Sequence, residues 1–231
     1  MILADPTTRE EWLQARTQGI GGSDAGCIVG ANPWKSARQL WMEKTGADKP
    51  DDISDKPAVK FGKQAEEHLR ALFLLTYPEY SCEYHEFRMY ANDRLPFIFA
   101  TLDGELTENT PTFAEGIGRQ MPAGAPRRGI LEIKTTTIQN SRQWDEWGGC
   151  IPQHYYVQIL HQLLACEWAE FAELYAHIRY AKDDEIRAIL RKYRIDRKDV
   201  EQDLTWLEVQ ESAFYQNWQT GTEPPDTLPE I

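Results

Sequence analysis

Hydrophobic residues recur at helical spacing through the first third of the chain. REEWLQARTQ predicts a short helix with Trp12 and Leu13 apolar. DAGCIVG predicts a second, with Ser23 or Asp24 as its N-cap. SARQLWMEKTG predicts a third: Ser36 can cap it, Leu40 and Trp41 form its apolar face, and Gly46 can close it. A polar loop rich in Asp and Pro, ADKPDDISDKP, then leads into AVKFGKQAEEHLRALFLLTYP. Here Phe61, Ala65, Leu69, Leu72 and Phe73 share one face of a long amphipathic helix.

The period then changes. CEYHEFRMY alternates, and PFIFATLDGEL is a β-rich run ending at Asp-Gly. Residues 107–128 carry Gly, Pro and adjacent arginines, and predict a loop. GILEIKTTTI predicts a strand, with Leu131, Ile133 and Thr135 alternating against Glu132, Lys134 and Thr136. IPQHYYVQILHQLLACEW predicts a helix after Pro152, and AEFAELYAHIRY another strand. A charged, acidic helical segment is expected from about 183 to Trp218. The order implies an α/β fold, a mixed central β-sheet flanked by helices, in a single domain over residues 1–231.

Composition adds constraints. No run of about 18 apolar residues occurs, so no membrane span is expected. MILADPTTREEW has no basic start followed by an apolar run, so a cytoplasmic protein is expected. Four cysteines at 27, 82, 150 and 166 lack C-x-x-C spacing, which disfavours a zinc ribbon and suggests buried thiols. The net charge of −12 argues against nucleic acid when taken alone. Its distribution weakens that argument. From Val200 to Ile231 there are seven acids and no Lys or Arg, whereas Met1 to Gly46 is balanced, five acids against five bases. A divalent-cation site also needs carboxylates.

GIGGSDAGCIVGANPWKS, residues 19–36, raises the question of phosphate binding. No Gly-Lys-Ser/Thr follows its glycines, so it is no P-loop. Gly19, Gly21, Gly22, Gly26 and Gly30 do not fit G-x-G-x-x-G either, and the stretch follows a helix rather than a strand. A glycine-lined turn can still meet a phosphate through backbone N–H groups; the plainer alternative is a tight connector.

Candidate chemistry lies in the strands. Residues i and i+2 of a strand share a face, so Glu132 and Lys134 project together, and Asp103 ends the preceding strand. Two carboxylates, a carbonyl and waters form an all-oxygen site suited to Mg²⁺ or Mn²⁺. An adjacent ammonium can hold a water for attack on phosphorus. Glu-x-Lys by itself is weak, because an exposed strand face with an ion pair produces the same pattern. Glu66, on the long helix, is either a solvated residue near Arg70 or a third carboxylate.

Together these pieces resemble the YqaJ-like viral recombinase nucleases, the group of the lambda-type exonuclease, within the PD-(D/E)XK (restriction-endonuclease-like) superfamily. The matching stretches are RTQGIGGSDAGCIVGANPWKSARQLWMEKTG, FGKQAEEHLRALF, ATLDG, LEIKT and IPQHYYVQILHQLLACEW, in the family's order. The resemblance implies Glu66, Asp103, Glu132 and the Ile133 carbonyl as ligands of Mg²⁺ or Mn²⁺, two ions in all. It implies Lys134 as the catalytic lysine that positions the water. Gln158 and Tyr155, in Y-x-x-Q, resemble residues that back the site, with Tyr155 grouped with the phosphate contacts. Arg16 and Ser23 resemble residues that grip a DNA phosphate, with Thr101 beside them. The implied activity is a 5′→3′ exonuclease on double-stranded DNA ends, leaving 3′ single strands for an annealing protein in phage-type recombination. A homo-oligomer, a trimer in such enzymes, is implied as well.

Two features depart from that pattern. Leu102-Asp103 replaces the family's Pro-Asp, and residues 107–128 exceed a minimal hairpin, so Arg119, Arg127 and Arg128 are either a DNA-facing loop or an insertion. Two other readings stay open. One is an endonuclease or nickase of the same fold in repair or defence; the other is a non-catalytic binding module. Scattered cysteines disfavour an iron–sulfur nuclease.

Overall fold

Short-range chemistry sets several helix ends. In α1 (Arg9–Arg16) the Thr8 hydroxyl accepts from the Glu11 amide at 3.2 Å, and the Glu11 carboxylate accepts from the Thr8 amide at 3.3 Å. Ser36 caps α3 (Ala37–Thr45) in the same way with Gln39, and Gly46 closes it in the left-handed conformation at φ 77°. In α2 (Gly22–Ile28) the expected cap is corrected. Gly21 is the N-cap, and Asp24 accepts from its amide at 3.1 Å while pairing with Lys44 at 2.8 Å. The Ser23 hydroxyl is thereby left out of capping. The long helix α4 (Pro57–Thr76) opens on a proline whose missing N–H costs nothing there. The remaining helices are α5 (Ser141–Glu146), α6 (Gln153–Ala165) and α7 (Glu201–Thr220).

The structure, a computed structural model, describes residues 1–109, 125–183 and 185–225. Its strands are β1 (Ile2–Ala4), β2 (Tyr80–Glu83), β3 (Met89–Ala91), β4 (Phe99–Ala100), β5 (Gly104–Glu108), β6 (Arg127–Ile138), β7 (Phe171–Lys182) and β8 (Glu185–Asp196). They form two sheets. The main one runs β2-β5-β6-β7-β8, parallel between β6 and β7 and antiparallel elsewhere; the smaller one runs β1-β3-β4. Each β-rich run read from the sequence as one piece is split between the sheets. CEYHEFRMY contributes β2 and β3, and PFIFATLDGEL contributes β4 and β5. The segment Thr101-Leu102-Asp103 is thus a crossing from one sheet to the other.

Period-2 alternation gives β6 two packed faces. Leu131 and Ile133 meet Leu69 and Phe73 of α4, together with Phe171 and Tyr175. Ile130 packs with Ile159, Leu160 and Leu163 of α6 on the other face, and Leu174, Ala176 and Ile178 of β7 join them. Phe73, Leu131, Ile159 and Leu163 are fully buried, each worth about 1.5–3 kcal/mol of transfer free energy. Gly129 is obligatory at the start of this strand, because a Cβ would stand 2.4 Å from the Phe171 ring.

The helical segment expected from about 183 is corrected. Residues 185–196 are the edge strand β8, and the helix begins at Glu201. Charge obscured the strand. Arg194 and Lys192 lay their stems on aromatic rings, Arg194 over Phe171 at 4.1 Å and Lys192 over Tyr77 at 4.5 Å, while their heads pair with acids. Arg127 and Arg128 belong to β6 rather than a DNA-facing loop. Arg127 pairs with Asp196 at 2.6 Å, and Arg128 with Glu105 at 3.3 Å. Arg119 lies outside the described residues. All four cysteines are free; Cys27 and Cys166 are buried, but Cys150 is exposed. No described helix is long and apolar enough to cross a membrane.

Candidate active site

Four elements converge: the middle of α4, the crossing before β5, the middle of β6 and the first turns of α6. Asp103 is held at the crossing. Its Oδ2 accepts from the Ile133 amide at 2.7 Å, and its carbonyl accepts from Arg70 Nε at 2.6 Å. Glu132 and Lys134 leave β6 toward α6, as their spacing requires. Glu132 is only 2% exposed, yet both carboxylate oxygens are engaged. Oε1 accepts from Gln158 Nε2 at 2.7 Å and lies 2.5 Å from Lys134 Nζ; Oε2 accepts from Gln162 Nε2 at 2.5 Å. Glu66 comes in from α4 and accepts from Arg70 Nη2 at 2.8 Å.

Sequence reading missed two of these residues. Gln162 stands four residues after Gln158, and Arg70 four after Glu66, so each pair shares a helix face. That spacing was the available signal. Arg70 ties Glu66 to the Asp103 main chain, and Gln162 satisfies the second oxygen of Glu132.

The electrostatics are those of crowded carboxylates. Burial, then the charges of Glu132 and Glu66, push the Asp103 carboxyl well above its usual range. Burial also raises Glu66; Arg70 opposes the shift and Glu132 adds to it. Burial alone would lower Lys134, but Glu132 and Asp103 outweigh it and hold the ammonium charged above its ordinary value. Lys134 is therefore placed as a hydrogen-bond donor.

The residues expected to meet phosphate form a neighbouring chain of contacts. Arg16 Nη2 donates to Ser23 Oγ at 3.2 Å, and its guanidinium lies 4.6 Å over the Trp12 ring. Trp12 Nε1 in turn donates to Thr101 Oγ1 at 2.9 Å. Gly22 abuts Gln158: a Cβ there would approach Gln158 Cγ to 3.2 Å, so α2 comes close to the side chain that holds Glu132. The Tyr155 ring lies 5.3 Å from Lys134 Nζ. His154 packs on Tyr155 at 4.0 Å, and burial with the Lys134 charge pushes it down to about 4.

The donor set suits a hard cation. Glu66, Asp103 and Glu132 offer only oxygen; Glu132 raises the cost of ionising both others, and Glu66 that of ionising Asp103. Their present conformations do not form a ligand cluster: among the described residues no three His, Cys, Asp or Glu side chains are grouped as metal ligands. Glu66 is drawn to Arg70 and Asp103 to the Ile133 amide.

A five-stranded mixed sheet with helices on both faces and this acidic edge defines an α/β protein of the restriction-endonuclease-like fold. The chain belongs to the YqaJ-like viral recombinase domain family, whose model matches residues 11–169. It is 31% identical over 211 residues to the uncharacterized protein YqaJ of Bacillus subtilis (strain 168), covering 82% of this chain. It spans about half, 55%, of that relative's length. Among solved structures, the alkaline exonuclease LHK-Exo of Laribacter hongkongensis superposes with a TM-score of 0.60 at 16% identity. The match covers 93% of this chain and 94% of that one, and the dAMP complex of LHK-Exo matches equally well. At that identity the likeness is one of fold.

Proposed function

We propose that this chain is a Mg²⁺- or Mn²⁺-dependent exonuclease that digests double-stranded DNA from its ends in recombination. One observation carries the reading: a buried Glu132–Lys134 pair, held by two glutamines, beside the strand-crossing Asp103. Membership of a viral recombinase family and a fold shared with an alkaline exonuclease support it.

Glu66, Asp103, Glu132 and the Ile133 carbonyl would hold the metal. When bound, it supplies a more acidic water and a Lewis acid for phosphate oxygens. Lys134 would orient the attacking water and offset the negative charge that develops on the phosphate oxygens. Gln158 and Gln162 keep Glu132 aimed. Arg16 and Ser23 grip a neighbouring backbone phosphate, with Thr101 and Tyr155 bordering the same path. Digestion proceeds 5′→3′ and leaves a 3′ strand for an annealing protein, and the working enzyme is a homo-oligomer, a trimer.

The test is digestion of end-labelled linear duplexes, one end blocked or 5′-phosphorylated, alongside closed circular DNA in Mg²⁺. Loss of nucleotides from the free 5′ end with intact circles is expected. Cleaved circles would replace the reading with an endonuclease, and a Lys134→Ala variant as active as wild type would refute it.

A further inference from the structure

Trp34 is the most exposed tryptophan among the described residues, at 75%. An indole left in water needs a reason, and its neighbourhood supplies one. The loop holding it is fixed: Asn32 Oδ1 accepts from the amides of Trp34 at 2.8 Å and Lys35 at 3.1 Å. The indole meets the His154 ring edge-to-face at 5.3 Å, His154 packs on Tyr155 at 4.0 Å, and Tyr155 lies 5.3 Å from Lys134 Nζ. An aromatic line therefore runs from the surface to the candidate catalytic lysine. Its outer ring is no more than about 15 Å from the ammonium, or about four base steps of a strand.

The line is also electrically quiet. Lys35, next to Trp34, is paired with Glu43 at 2.7 Å. His154 is neutral near physiological pH, since its value is pushed down to about 4. Phosphate attraction is not what this spot offers; it offers a rigid π-face with one side open. Every nucleobase has a complementary face, and such stacking tolerates any sequence.

The geometry points to Trp34 as a base-stacking platform, backed by His154, for an unpaired or terminal nucleobase of the strand being digested. This rests on the nuclease reading above and adds a second binding mode to it.

The experiment uses duplexes carrying a single abasic site moved through the four terminal positions. Binding is read by fluorescence anisotropy in the Lys134→Met background without added divalent metal, so that digestion is suppressed. Removing the base that stacks on Trp34 weakens binding by about 5- to 150-fold at one position. Trp34→Ala weakens binding of intact DNA by the same factor and abolishes the position dependence, whereas Trp34→Phe keeps both. That factor stays constant between about 50 mM and about 200 mM salt, because no counterion is released by stacking. Thermal stability of Trp34→Ala should match its parent within about 2 °C, as expected for an exposed position. An abasic effect that survives in Trp34→Ala, or a Trp34 factor that falls with salt, overturns the platform and leaves the nuclease reading standing. Absence of DNA binding with Trp34 present, together with no digestion by wild type, overturns both.

Discussion

Replacing Lys134 with methionine removes one charge and nearly preserves the stem. Two consequences can be separated by size. Deleting one partner of a buried ion pair costs about 3–5 kcal/mol. Here the loss is smaller. Lys134 is 20% exposed, and Glu132 keeps Gln158 on one oxygen and Gln162 on the other. Hydrogen bonds to a charged group are worth about 1.5–3 kcal/mol each, so the residual carboxylate is far from unpaired. A net cost of about 1–2 kcal/mol remains, or about 2–8 °C in Tm for a chain of this length. The chemical step loses more. Removing one preorganised donor aimed at developing charge costs about 10²–10³ in kcat, about 2.7–4 kcal/mol. Single-turnover digestion of an end-labelled duplex in Mg²⁺, with DNA affinity measured in parallel, checks the assignment. The variant should bind DNA as wild type does and cleave at least 100-fold more slowly, about 2.7 kcal/mol. A rate within about threefold of wild type, ~0.65 kcal/mol, would refute the role of the ammonium.

Three further outcomes follow from the geometry. Asp103→Asn should abolish Mg²⁺ and Mn²⁺ binding in calorimetric titration. Because the folded state raises the Asp103 value, the metal-free protein should lose stability as pH rises through it, and the variant should lose less. Glu211 accepts or shares a proton with His161 Nδ1 at 2.7 Å, both side chains are fully buried, and His161 Nε2 meets the Phe99 carbonyl at 2.8 Å. Burial opposes the imidazolium, but Glu211 wins and raises His161, so this contribution is full below the ordinary value of 6.5 and fades as pH climbs through the raised one. Glu211→Ala should cost about 3–5 kcal/mol, whereas Glu211→Gln, which can still donate to a neutral imidazole, should cost less and flatten that pH dependence in thermal melts. Gly19→Ala should cost about 1–3 kcal/mol or more by denaturant titration. Its Cβ would stand 2.4 Å from the Phe97 carbonyl oxygen, which is itself bonded to the Ile20 amide at 2.7 Å.

The last of these shows what glycine-rich residues 19–36 conceal. Gly19 and Gly22 serve close approach, to Phe97 and to Gln158, rather than a nucleotide fingerprint. Helices α1, α3, α4 and α6 were legible because caps, prolines and the apolar period are local. That Glu132 and Lys134 share a face was legible because a strand's period is two; that Asp103 comes beside them rests on the crossing between the sheets, which their order in the chain only hinted at. The division of the β-rich runs between two sheets was not, since it depends on pairings between distant segments. Strand β8 was hidden because Arg and Lys there bury stems against aromatic rings that only the folded chain brings near. Gln162 and Arg70 were passed over because polar residues on a helix read as solvated until the sheet beneath them is known.

The match to the family model ends at residue 169, and the candidate catalytic side chains all precede it. Their scaffold does not end there. Strand β6, which carries Glu132 and Lys134, takes its parallel partner from residues after 170, and α6, which carries Gln158 and Gln162, has its buried His161 paired with Glu211 of α7. A chain cut at the recognisable boundary would turn β6 into a bare, apolar edge, open to pairing with other chains. It would also strand His161 without its counter-charge. The span matched by the family model is therefore shorter than the span that builds the scaffold of the site, and an expression design should respect the longer one.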